Sequence, residues 1–362
     1  MGSSGSRAAS RVNFQAVRYA GDRNTKEASF RPSSLQNVRD EFYQSAVEIH
    51  TNITPKLDRK LTQVCERLGV DRDTVEAFVH NSSEIQAACY YTDESGCLLR
   101  FSSSLINLFD EDEFAFVAGH EIGHFLFQHN AVGVNEKSLE YFVFQRAQEV
   151  SADRIGLLAC SDENAAVRAL IKTISGLNSE HLQINVGQFL SQLSRIQGNK
   201  GARNAASTHP SMLIRTRALM WVSMARIHQE SHLTRTAELD KIDRRVSKDL
   251  AKHEDAHAIE TIKSAKKDIA IWLAASEVAS DARFDADEQA RFGELFGEEL
   301  LTKITNFISD TPVGSVQAVI YAKLSESRRR LEELAPVEYS QFYEEIRSKV
   351  LTHFDGSYRR ES

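Results

Sequence analysis

Proline is nearly absent: there are five in 362 residues, and only Pro210 falls between Pro55 and Pro312. Proline removes a backbone donor and clashes with the preceding turn, so a chain with few of them predicts long helices and few strands. Cysteine is as sparse, with four residues at 65, 89, 97 and 160 and no C-x-x-C spacing, which argues against a disulfide framework. Cys89 and Cys97 flank a turn and could pair in an oxidising compartment, but reduced thiols are the expected state. No apolar run approaches the ~18 residues needed to span a bilayer. The longest, around Ile269 to Ala275, is too short. An excess of positive charge is lacking too. The net charge is −7 with no basic stripe, so nucleic acid is not an expected partner. Met1 to Ser6 lacks the apolar core of a signal peptide, so the expected location is cytoplasmic. What remains is 41% apolar residues over a length that accommodates two or more domains.

One short run carries chemistry. Gly119-His120-Glu121-Ile122-Gly123-His124 is an H-E-x-x-H motif inside an apolar helical stretch. Positions i and i+4 share a helix face, so His120 and His124 can both point at one metal ion. Glu121 beside them can take a proton from a metal-activated water, the arrangement used for zinc peptide hydrolysis.

A second H-E-x-x-H, His253-Glu254-Asp255-Ala256-His257, shows how little the bare motif says. The first is flanked by Val117, Ala118, Phe125 and Leu126, so its helix can be buried. The second is flanked by Asp249, Lys252, Asp255 and Glu260, a solvated face. No helix breaker separates His257 from Glu277, the next acidic candidate. A continuous helix would hold them roughly 30 Å apart, so the second motif is not expected to bind metal.

The first motif has a partner within reach. After His124 a turn at 131–135 precedes a helical run from about Ser138 to Ala159, which carries Glu149 and Asp153 on one face. An antiparallel helix pair brings Glu149 to the His pair. Two His, one Glu and an open fourth position make a catalytic zinc set. Asp153, one turn on, can accept the N–H of a ligand His and fix its tautomer. Both carboxylates sit among apolar and small residues, where an unpartnered charge is costly.

Three ordered blocks resemble the zinc metallopeptidase family of the CaaX prenyl endopeptidase and the HtpX-type proteases. They are residues 104–124 ending in the motif, Glu149-Val150-Ser151-Ala152-Asp153, and Thr208-His209-Pro210-Ser211 followed by Arg215. The resemblance covers roughly residues 80–220. It implies one zinc ion on His120, His124 and Glu149, Glu121 as general base, and His209 and Arg215 beside the cleft holding the oxyanion. His209 precedes Pro210 and so favours an extended backbone, and Arg215 is a fixed charge. The best-known relatives are membrane-embedded, whereas this chain carries no apolar run long enough to span.

Ile85 to Tyr91 and Cys97 to Phe101 read as strand, turn, strand. In such peptidases an edge strand beside the active-site helix pairs with extended substrate, which would place Ala87, Ala88, Cys89, Tyr90 and Tyr91 beside it. An ordinary hairpin reads the same way.

The expected organisation is a flexible tail over 1–35, a zincin-like peptidase domain over 36–235, and an all-α accessory domain over 236–362. Residues 36–75 and 163–196 read as helical, and 197–204 as a loop. Ile269 to Gln289 resembles the core of a tellurite-resistance TerB-like helical domain, with Arg283 where a turn glycine is usual. Asp281, Asp285 and Asp287 could bind a cation; helix capping is the plainer reading of Asp285 and Asp287. The expected function is a zinc endopeptidase acting on protein or peptide substrate. The rival is a latent zinc-binding protein whose C-terminal helices dock a partner.

Overall fold

The computed structural model describes residues 13–22, 32–93, 96–129, 138–196, 208–226, 233–278 and 284–354. The turn residues Glu94 and Ser95, the 131–135 turn, the 197–204 loop, Asp281, Arg283 and Met1 to Ser6 lie outside the described residues. The chain is mainly α with one small sheet. It divides into two compact units, residues 1–133 with 142–255, and residues 134–141 with 256–362.

The first unit opens with a short 3-10 turn at Phe14–Ala16, then α1 (Pro32–Ser45), β1 (Val47–Glu48), α2 (Pro55–Leu68), β2 (Val75–His80), β3 (Ala87–Asp93) and β4 (Gly96–Ser102). The helices α3 (Ser103–Leu108), α4 (Glu111–Leu126), α5 (Leu139–Cys160), α6 (Glu163–Ser175), α7 (Val186–Leu190), α8 (Met212–Met224) and α9 (Ala237–His253) follow. The expected hairpin is β3 and β4, paired antiparallel with Cys89 opposite Leu99 and Tyr91 opposite Cys97. Strand order is β1-β2-β4-β3, which leaves β3 at an edge. The strand β2, parallel to β4, was not legible in the sequence: the helical reading of 36–75 holds for α1 and α2 but stops there. Residues 13–22, read as part of a flexible tail, pack with Ala16, Val17, Tyr19 and Asp22 buried.

Helix α4 starts where its sequence says it should. The Asp110 carboxylate accepts from the N–H groups of Asp112 and Glu113, and Glu113 accepts from the N–H of Asp110. This reciprocal cap satisfies orphan donors, and the acidic first turn suits the helix dipole. Glu113 is buried and held by Lys172 at 2.7 Å and Arg168 at 2.8 Å, both on α6. Burial of Phe114, Ala115, Phe116, Ala118 and Ile122 fixes α4 in the core.

Helices α4 and α5 meet at backbone distance. A Cβ added at Gly119 would lie 2.2 Å from Ala159 Cβ, and one at Gly156 would lie 2.7 Å from the Phe116 carbonyl oxygen. Only glycine fits there, and the close crossing is what brings the carboxylates of α5 to the histidines of α4. The helical reading of 163–196 is corrected in part: α6 ends at Gly176, whose left-handed φ of 66° stops it. The division between units falls after Asp255 rather than at 235, because Leu239, Ile242, Val246 and Leu250 of α9 join the first unit's core.

The second unit contains α10 (Ala256–Val278), α11 (Ala286–Phe296), α12 (Glu298–Asp310), α13 (Val316–Leu334) and α14 (Tyr339–Phe354). Ile269, Phe292, Ile304, Ile320, Leu331 and Val350 lie in its core. Asp285 caps α11 in a reciprocal pair with Glu288, and Asp287 lies in the first turn. Among the described residues no helix is long and apolar enough to cross a membrane.

Candidate metal centre

On α4 the ring nitrogens of His120 and His124 come together, Nε2 to Nε2 at 3.1 Å. The Glu149 carboxylate from α5 meets both, with Oε2 3.5 Å from His120 Nε2 and Oε1 3.4 Å from His124 Nε2. One donor atom from each of the three lies within 4.8 Å of the others. Among the described residues this is the one group of His, Cys, Asp and Glu side chains so arranged.

Behind this trio stands a charged layer. Asp153 Oδ1 lies 3.0 Å from His120 Nδ1. Arg215 on α8 donates to Asp153 through Nε at 2.9 Å and Nη2 at 2.5 Å, and its Nη1 lies 2.9 Å from Glu149 Oε2. Burial opposes ionisation of both carboxylates, but Arg215 outweighs it and, with His120, holds both below the ordinary carboxylate range. Burial likewise opposes a charged His120, yet Asp153 and Glu149 push its pKa up to about 10. The site draws positive charge.

The donor set fits a metal. Each histidine presents Nδ1 to a partner other than Glu149, so both Nε2 atoms face the carboxylate between them. Two imidazole nitrogens and one carboxylate oxygen converging in this way could hold a metal ion, and such a set suits zinc.

Glu121 follows His120 and is buried. It lies close enough to Cys89 on β3 for its charge to help raise that thiol, after burial and the neighbouring Cys97. All four cysteines are buried free thiols. On the edge strand Tyr90 packs its ring on Phe42, on the sheet face opposite Cys89, as strand alternation requires. His209 is exposed, with Nε2 3.4 Å from Glu149 Oε1 and Nδ1 2.8 Å from the Thr208 hydroxyl. Arg215 is placed differently from the expectation: it is buried behind Glu149 and Asp153, donating to Asp153 and forming an ion pair with Glu149.

The second H-E-x-x-H does not assemble. Helix α9 ends at His253 and α10 begins at Ala256, so the two histidines fall on different helices and the i, i+4 relation is lost. Its glutamate has another use: Glu254 Oε1 accepts the N–H of Ser211 at 3.1 Å, tethering the turn that carries His209.

Two neighbours of the site were not found from sequence. His129 Nδ1 lies 2.9 Å from His124 Nδ1, and His129 Nε2 lies 2.9 Å from Asp22 Oδ2. Burial keeps His129 neutral, lowering its pKa to about 4. Burial opposes the charge on Asp22, but hydrogen bonds from His129 and Arg18 overcome it and hold the carboxyl well below its ordinary value.

The family model of peptidase family M48 matches residues 52–144 and 135–222. Residues 52–222 are thus similar to M48 peptidases. The matched stretch contains the whole trio, Glu121, Asp153, His209 and Arg215. The match supports a metallopeptidase hydrolase with a protein or peptide substrate, and the His-His-Glu group is compatible with the metal such peptidases require. No curated protein matches the chain, and no solved structure does.

Proposed function

We propose that this chain is a zinc-dependent endopeptidase whose working residues are His120, His124, Glu149 and Glu121. The convergence of the trio, with Glu121 next to His120 on the same buried helix, is the observation that carries this reading. Zinc bound there would lower the pKa of a coordinated water toward ~7 and polarise a substrate carbonyl.

The chain's own residues supply the rest. Glu121 takes the proton of the attacking water and returns it to the departing amine. Exposed His209, beside Glu149, donates from its ring to the oxygen that gains charge in the transition state. Arg215 holds Glu149 and Asp153 ionised and in place, a positioning task rather than contact with substrate. The outer edge of β3, the last strand of the sheet, offers backbone N–H and C=O groups to an extended peptide along Ala87 to Tyr91. An extended peptide paired along this edge would lie across the trio with chain on both sides, which favours internal cleavage. In the same proposal the protein acts in the cytoplasm, and the helices after Asp255 dock a partner.

Glu121→Gln tests this. The variant is expected to keep one zinc per chain and lose ~10²–10⁴-fold in peptide cleavage, the usual share of a general base. Cleavage at the wild-type rate would sink the assignment. A wild type that holds zinc at the trio but cleaves nothing would favour a latent zinc-binding protein.

A further inference from the structure

Asp22 and His129 take no part in the chemistry above, yet both are buried directly behind it. Helix α4 closes in a reversal: the N–H of Phe127 donates to the Gly123 carbonyl, that of Gln128 to Phe125, and that of His129 to His124. Gln128 adopts a left-handed φ of 57°, which turns the chain back and sets the His129 ring beside His124. The side chains of His129 and Asp22 are 1% and 0% exposed. Arg18 grips the Asp22 carboxylate through Nε and Nη2, each at 2.9 Å. The segment is tied down further by the N–H of Tyr19 on Ser151 Oγ of α5 and the N–H of Ala20 on Asp243 Oδ2 of α9, both at 3.0 Å.

A metal on the trio sets the hydrogen placement along this chain. An ionised Asp22 only accepts, so His129 Nε2 carries the hydrogen. A cation between His124 and Glu149 would take the lone pair of His124 Nε2, which puts the hydrogen of His124 on Nδ1, where His129 Nδ1 lies 2.9 Å away to accept it. Nε2 is the atom of His124 that faces Glu149 and His120. His120 is treated alike, with Asp153 directly on its Nδ1. Each histidine of the motif is therefore oriented by a carboxylate, one directly and the other through an intervening imidazole.

We propose that Asp22 and His129 are positioning residues of the metal centre: they fix the tautomer and orientation of His124, which makes the Arg18–Asp22 segment part of the zinc site. The inference rests on the zinc reading of the same trio. Partners of this kind are worth ~10–100-fold in metal affinity.

The test measures zinc dissociation constants by chelator competition on the full chain, with the visible absorption of the cobalt-substituted protein as a second readout. His129→Leu removes the acceptor while keeping an apolar group of useful size, and is expected to weaken zinc ~10–100-fold and to change the cobalt spectrum. His129→Gln can accept from His124 through its amide oxygen and donate to Asp22 through its amide nitrogen, and is expected to stay within about threefold of wild type. A packing role would put Leu nearer wild type than Gln. Equal affinity of His129→Leu and wild type, or equal weakening by Leu and Gln, overturns the proposal. If His129→Leu does not fold, Asp22→Asn carries the test: about tenfold weaker zinc is expected, and no change overturns the proposal. His124→Ala separates the two readings. Zinc lost in His124→Ala but unaffected in His129→Leu defeats this inference alone. A wild type without zinc, or zinc retained in His124→Ala, defeats the proposed function with it.

Discussion

Asp22 holds its charge in a place where burial opposes it, and that has a pH signature. Its folded-state pKa lies below the ordinary 3.8. A depressed carboxyl contributes stability above its unfolded pKa and loses it as pH falls through the folded value. Asp22→Asn is therefore expected to lower the unfolding free energy of the metal-free protein by ~1–3 kcal/mol near pH 7. Below about pH 4 the gap between variant and wild type should begin to narrow, as the unfolded chain's carboxyl takes up its proton while the folded one stays ionised, and it should close only as pH falls through the lower folded value. Urea titrations at both pH values check this; a gap that is constant with pH would contradict it. At this scale the sequence was informative wherever helix spacing alone joins residues. His120, Glu121 and His124, and Glu149 with Asp153, could be read from i, i+4 relations. Asp22 and His129 could not. They meet across a separation of 107 residues, and only the left-handed turn at Gln128 aims the ring. Arg215 was legible as a charge in a late block, but the carboxylates that claim it were not.

Helices α4 and α5 form the element pair on which the site depends. Their length and apolar flanks were legible, and so was the need for an antiparallel pairing. The distance between them was not, because it depends on which small residues face each other at the crossing. Gly119→Ala would drive a methyl group into Ala159. The expected cost is about 1–3 kcal/mol of stability, together with weaker zinc binding as Glu149 is pushed from the histidines. Thermal melts with and without zinc would show this, and a variant as stable as wild type would mean the helices can part without cost. The sheet was half legible. β3 and β4 alternate around a turn, but β2 pairs in parallel with β4 and has no local turn signal to mark it. Likewise, the boundary at 235 followed the change to a charged composition, while α9 keeps one apolar stripe that belongs to the earlier core.

For the molecule as a whole, the same H-E-x-x-H motif occurs twice with different outcomes, and the continuity of the helix decides between them. The first lies within one buried helix, crossed closely by a second helix that brings a carboxylate. The second straddles a helix break, with His257 exposed. The M48 match covers residues 52–222 and so contains the first motif and ends before the second. The most direct test of the account is the zinc content of purified protein. It compares wild type with a His120→Ala, His124→Ala double variant and a His253→Ala, His257→Ala double variant. The account predicts one zinc per chain in wild type and in the second variant, and none in the first. A wild type without zinc, or zinc lost only with His253 and His257, would contradict it.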